Sequence, residues 1–121
     1  MNGAGQTVTG NVVDIEDARG LKQGPIPEDV KESLAPEAFI ESDAPEIIAE
    51  TARALERVGE KATARRKAEL LVRYVNAALE KKPTMSLPSA VEVLRTRVGD
   101  CNEHTVLYVA MARAAKIPAR V

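Results

Sequence analysis

The sequence predicts a mainly α fold of four to five helices, with at most a short β-hairpin near residues 6–15. Three observations carry that expectation. Apolar residues recur at helical spacing in several stretches beyond residue 43. Acidic or serine starts and glycine or proline stops bracket those stretches. Of the 121 residues, 45% are apolar and 29% charged, a balance that folds and excludes an intrinsically disordered chain.

In chain order, the first ten residues are Gly-rich and polar and are expected to be loose. Gln6–Val8 and Val12–Ile15 flank Gly10-Asn11, which reads as a two-residue hairpin turn, although two short strands are marginal alone. Residues 18–27 read as a linker. Pro27-Glu28-Asp29 suits the first turn of a short helix that ends before Pro36. Asp43-Ala44-Pro45-Glu46 resembles a capping box, and Ile48, Thr51, Ala52, Leu55 and Val58 then form a stripe that Gly59 stops. A further helix is expected from Ala62 to Lys81, with Ala64, Ala68, Leu71, Val75, Ala78 and Leu79 on one face and Lys81-Lys82-Pro83 as its end. Ser86-Leu87-Pro88 opens the next, with Val91 and Leu94 inward and Gly99 ending it in a left-handed turn. The last helix runs from Cys101 to Lys116, before Pro118. Its Ala110, Ala112, Ala114 and Ala115 allow close approach, so it is expected at the centre.

Composition narrows the function. No apolar run is long enough to cross a membrane. A net charge of −1 with 2% aromatic residues disfavours a nucleic-acid partner, which calls for a basic face and stacking rings. No signal peptide opens the chain, and the compartment stays open. With so few large side chains the core is thin: either helices pack through small residues or part of the core lies outside this chain, and the second is favoured. Residues 1–60 hold 5 Lys/Arg against 13 Asp/Glu, and residues 61–121 hold 12 against 5. Two halves of opposite sign attract on folding; the alternative is an anion-binding second half.

The chemistry concentrates at Gly99-Asp100-Cys101-Asn102-Glu103-His104. Asp100 and Glu103 have the spacing of N-cap and N3. Cys101 then falls at the first helical position, where unpaired amides and the macrodipole favour a thiolate. The two carboxylates act the other way and raise the thiol pKa, so activation needs a histidine. The single cysteine is a buried filler, a reactive thiol or an intermolecular partner. His104 shares a helix face with Cys101 and reads as a surface or core-edge residue rather than a base in cis. One Cys and one His cannot complete a metal site, and no cofactor is called for. Arg97 and Arg113 read as solvated or capping, Tyr108 as core rather than an oxyanion donor, and Tyr74 as core edge. Asn102 either faces solvent or donates to a developing oxyanion.

The segment Ser89–Val121, above all Gly99–His104 and Ile117-Pro118-Ala119-Arg120, closely resembles the nucleophile region of bacterial transglutaminase-like domains. Lys116 stands where that family commonly has glycine. The resemblance extends over residues 34–121, including the helices of Asp43–Leu79. It implies a papain-like thiol fold, with the nucleophile helix against an antiparallel sheet. It also implies a Cys-His-Asp triad that attacks a carboxamide, forms a thioester, and passes the acyl group to an amine or water. Cys101 matches the nucleophile; the histidine and aspartate of the family come later, on strands beyond Ile117–Arg120. The expected organisation is therefore a lead-in over 1–33 and, over 34–121, the helical half of an α+β domain cut before its sheet. Such a chain is expected to be inactive alone, to act in its parent on a protein or peptide amide, and to self-associate through an uncovered apolar face. The alternative is a non-catalytic helical interaction module with a structural cysteine.

Overall fold

The computed structural model describes residues 5–20, 28–59, 61–85 and 87–121. A hairpin pairs β1 (Gln6–Thr9) with β2 (Val12–Ile15), Gln6 opposite Ile15 and Thr9 opposite Val12, around Gly10 at φ 60°. Only Val8 in it is half-buried. Short 3-10 turns follow at Ala18–Gly20 and Glu28–Leu34. The helices are α1 (Pro45–Leu55), α2 (Ala64–Ala78), α3 (Ala90–Thr96) and α4 (Cys101–Ala114). Two further two-residue strands, β3 (Glu80–Lys81) and β4 (Val98–Gly99), pair in parallel. The expected mainly helical architecture is what the chain adopts. Most of the 18–27 linker and the Ser86 start fall outside the described residues.

The core forms where α1, α2 and α3 all pack on α4. Leu107, Val109, Ala110, Met111 and Ala112 are buried in near succession. A helix apolar on nearly every side belongs in the middle of a bundle, and its alanines let the neighbours close in. Ile47 from α1, Leu71 and Val75 from α2, and Val93 from α3 complete the interior. Each such side chain, fully buried, contributes about 1.5–3 kcal/mol. The thin composition is thus met in part by small residues at the central helix.

Several local expectations are corrected. The N-cap of α1 is Ala44, with no side-chain cap, because Pro45 occupies the first turn. Its inward face is Ile47, Glu50 and Thr51, while Ile48 is half exposed. Of the expected stripe, Thr51 is buried and Leu55 packs on the core, whereas Ile48 and Ala52 are exposed because a buried glutamate shares the true face. α2 begins at an N-cap of Thr63, whose side chain accepts the Arg66 N–H, and ends at Ala78 rather than Lys81. Residues 80–82 are drawn into β pairing instead, the Glu80 N–H donating to the Arg97 carbonyl at 2.8 Å and the Lys82 N–H to that of Gly99 at 3.2 Å. Ser89 caps α3 by accepting the Glu92 N–H. The left-handed end of α3 falls on Arg97, at φ 56°, and not on Gly99. Of the two arginines read as solvated or capping, Arg97 is this C-cap, whereas Arg113 is buried and tied down. Arg113, 3% exposed, donates to the carbonyls of Ala119 and Ala35 and pairs with Glu37 at 2.7 Å.

Candidate active site

The approach to Cys101 is assembled from three directions. Arg97 turns the chain out of α3, and β4 carries it alongside β3 to Gly99. Gly99 is needed there for space: a Cβ would lie 2.1 Å from Glu103 Cβ and 2.5 Å from its Cγ. Asp100 then caps α4. Its Oδ1 accepts the Asn102 N–H at 3.2 Å, and its own N–H donates to Glu103 Oε2 at 2.9 Å. This is the reciprocal capping box expected from the spacing. It fixes Cys101 as the first residue of the helix.

Glu103 is 1% exposed, and Thr84 Oγ1 donates to its Oε1. Burial pushes its carboxyl up, but the bonds from Thr84 and from the amides of Asp100 and Glu103 outweigh that and hold it at about 2. An ionised carboxylate is therefore built into the turn. The cap alone was legible in the sequence; the burial and the Thr84 contact come from the loop folding over the helix start.

Cys101 is exposed, which removes the buried-filler reading. Its Sγ lies 4.0 Å from Asn102 Oδ1, and its carbonyl accepts the Thr105 hydroxyl at 2.7 Å. Asn102 faces solvent. His104 is a half-buried core-edge residue. Its Nδ1 is 2.5 Å from the Asp100 carbonyl. A carbonyl only accepts, so Nδ1 carries the proton and Nε2 the lone pair. Nε2 is buried with no hydrogen-bond partner among the described residues. Neither ring nitrogen therefore bonds the Cys101 thiol. Tyr108 is half-buried against the core. No three His, Cys, Asp or Glu side chains gather as metal ligands among the described residues.

Behind the turn lies a polar network that sequence reasoning missed. Glu50 of α1, 4% exposed, accepts from the Tyr74 hydroxyl and from Arg97 Nη2 at 2.7 Å, and pairs with Arg53 at 3.0 Å. Burial raises its carboxyl and these donors lower it, with a net lowering. The signal was a Glu within an apolar helical face. Beside the first turns of α4 lies an open groove of about 500 Å3, walled by Phe39, Leu87, Pro88 and Val106.

Helices converging on an exposed cysteine, held by a Gly-Asp-Cys capping turn, define a thiol-fold architecture. Residues 50–121 match the transglutaminase-like superfamily, and the chain belongs to that superfamily. The crystal structure of a “putative cysteine protease” from Cytophaga hutchinsonii shares the fold, with a TM-score of 0.66 and 21% identity over 77% of this chain. The chain spans 31% of that protein's length. No curated protein matches the chain.

Proposed function

We propose that Cys101 is the nucleophile of a thiol acyltransferase or cysteine peptidase acting on protein or peptide amides. The observation that carries this is an exposed thiol at the first position of α4, fixed by the Asp100–Glu103 capping box. Attack by a thiol needs a base to take its proton; neither nitrogen of His104 bonds Cys101, so this reading assigns that work to a residue outside these 121. In the proposed reaction the thiolate sulfur attacks the amide carbon, and the base's proton passes to the departing amine. The resulting thioester is then broken by water or a second amine, which releases the thiol. Residues 34–121 are the unit that carries the nucleophile, and by themselves they bind and acylate slowly if at all.

The test is the pH dependence of Cys101 alkylation by iodoacetamide, on this chain and on one extended beyond Val121. A thiol titrating clearly below about 8.5, in either form, supports the nucleophile. An ordinary, slow thiol in both overturns it and favours a non-catalytic interaction module, for which the exposed Phe39, Leu87 and Val121 would be the contact residues.

A further inference from the structure

We propose that the groove beside α4 is a substrate subsite that takes an apolar side chain of a peptide, next to the carbonyl presented to Cys101. The inference rests on the nucleophile reading above and adds a specificity to it.

Position comes first. Asn102 and Thr105, the residue after Cys101 and the residue one helical turn beyond it, line the groove, so it lies along the first turns of the helix that Cys101 opens. The lining chemistry then selects the occupant. Phe39, Leu87, Pro88 and Val106 form its wall. Among its described residues Glu37 is the one charged side chain, and that carboxylate is engaged by Arg113 at 2.7 Å. Nothing there offers a charged group a free counter-ion, and a charged side chain would be desolvated without return.

The third observation is backbone strain at the rim. The Ile40 N–H closes a turn onto the Glu37 carbonyl at 2.9 Å, with Phe39 in its third position at φ 68°. A positive φ there suits glycine or asparagine, and a bulky residue is an outlier. The Phe39 carbonyl accepts the Ala90 N–H at 2.9 Å, which fastens the turn to the start of α3. Phe39 is 54% exposed, so burial among the described residues does not offset the strain. The chain's one phenylalanine is thus held out over an apolar groove next to the candidate nucleophile. Strained residues of this kind cluster at ligand clamps. The volume of about 500 Å3 is in the range of small-ligand sites and has room for an apolar side chain.

The experiment compares three alkylating probes on the full chain: iodoacetamide, N-benzyl-iodoacetamide and N-(2-hydroxyethyl)-iodoacetamide. In each the thiolate forms the C–S bond, iodide leaves, and the thiol proton goes to solvent. The benzyl probe should saturate and react at least about tenfold faster than the hydroxyethyl probe, an advantage of about 1.4 kcal/mol. Phe39→Gly, which relieves the strain, and Leu87→Asp, at an exposed position, should each bring that ratio close to one. The readout is the ratio of the two tailed probes within each variant, so a shift in basal thiol reactivity cancels. Equal rates for the two tailed probes in the wild type would overturn the subsite, as would a preference that survives both substitutions. So would a groove found closed by a second copy, seen as light-scattering dimers that both variants dissolve. An ordinary thiol midpoint with the benzyl preference intact would defeat the nucleophile reading while upholding the groove's apolar selectivity.

Discussion

Gly99 and Lys116 are both backbone positions, but they are constrained for different reasons. Gly99 faces the Cβ of Glu103, an atom that cannot swing aside, so Gly99→Ala must move the helix start. Overpacking of this kind costs about 1–3 kcal/mol, and denaturant unfolding should show it. Lys116 ends α4 at φ 62°, its N–H donating to the Arg113 carbonyl and the Ile117 N–H to that of Ala112, both at 2.9 Å. That is a Schellman motif, whose left-handed residue is usually glycine. The departure noted at this position in the sequence is therefore a strained cap. Lys116→Gly relieves about 1–2 kcal/mol of strain and gives part of it back through unfolded-state entropy. A net stabilisation of about 0.5–1 kcal/mol is expected, read as a higher thermal midpoint.

Among the elements, α4 carries the most information, and its start is an electrostatic device as well as a cap. Asp100→Ala should cost about 0.5–2 kcal/mol in denaturant unfolding through loss of the cap; an unchanged midpoint would sink the assignment. Glu103 supplies the pH dependence. Its folded value of about 2 lies below the ordinary 4.5, so its ionised form contributes fully above about pH 4.5. That contribution is lost as the pH falls toward 2. Glu103→Gln keeps the shape without the charge, and should flatten the stability profile across that acid window. An acid limb identical to the wild type would show that Glu103 is not what titrates.

At the scale of the molecule, charge connects the two halves of the sequence. Arg95 pairs with Glu46 at 2.8 Å, Arg97 with Glu50 at 2.7 Å and Arg113 with Glu37 at 2.7 Å, each joining the basic second half to the acidic first. These contacts support the reading of attracting halves. Their weights differ. Both Arg95 and Glu46 are well exposed, and a pair screened by solvent adds little to stability. Glu50 is buried, so Glu50→Ala strips Tyr74 and Arg97 of a partner inside the bundle. Breaking a fully buried pair costs about 3–5 kcal/mol. Arg97 is 38% exposed and can turn to water, which lowers the expected loss to about 1–3 kcal/mol. Denaturant unfolding of Glu50→Ala measures it directly.

What the sequence determined by itself was local: the hairpin turn at Gly10-Asn11, the apolar stripe of α2, the Asp100–Glu103 capping box and the central α4. Each depends on contacts within a few residues or on a spacing that repeats. The family resemblance was legible for the same reason, being carried by contiguous motifs around Cys101. The tertiary structure alone decided the rest. It rotated α1 so that Glu50 faces inward, because donors from α2 and from the end of α3 meet it there. It cut α2 short because a parallel partner at Val98-Gly99 took Glu80 and Lys81. It buried Arg113, since the Ala119 carbonyl and, from more than 70 residues earlier, the Ala35 carbonyl and Glu37 converge on its guanidinium. It made Gly99 a matter of room rather than of φ. Burial of a charged group is decided by partners distant in sequence, and no periodicity along the chain records where those partners will be.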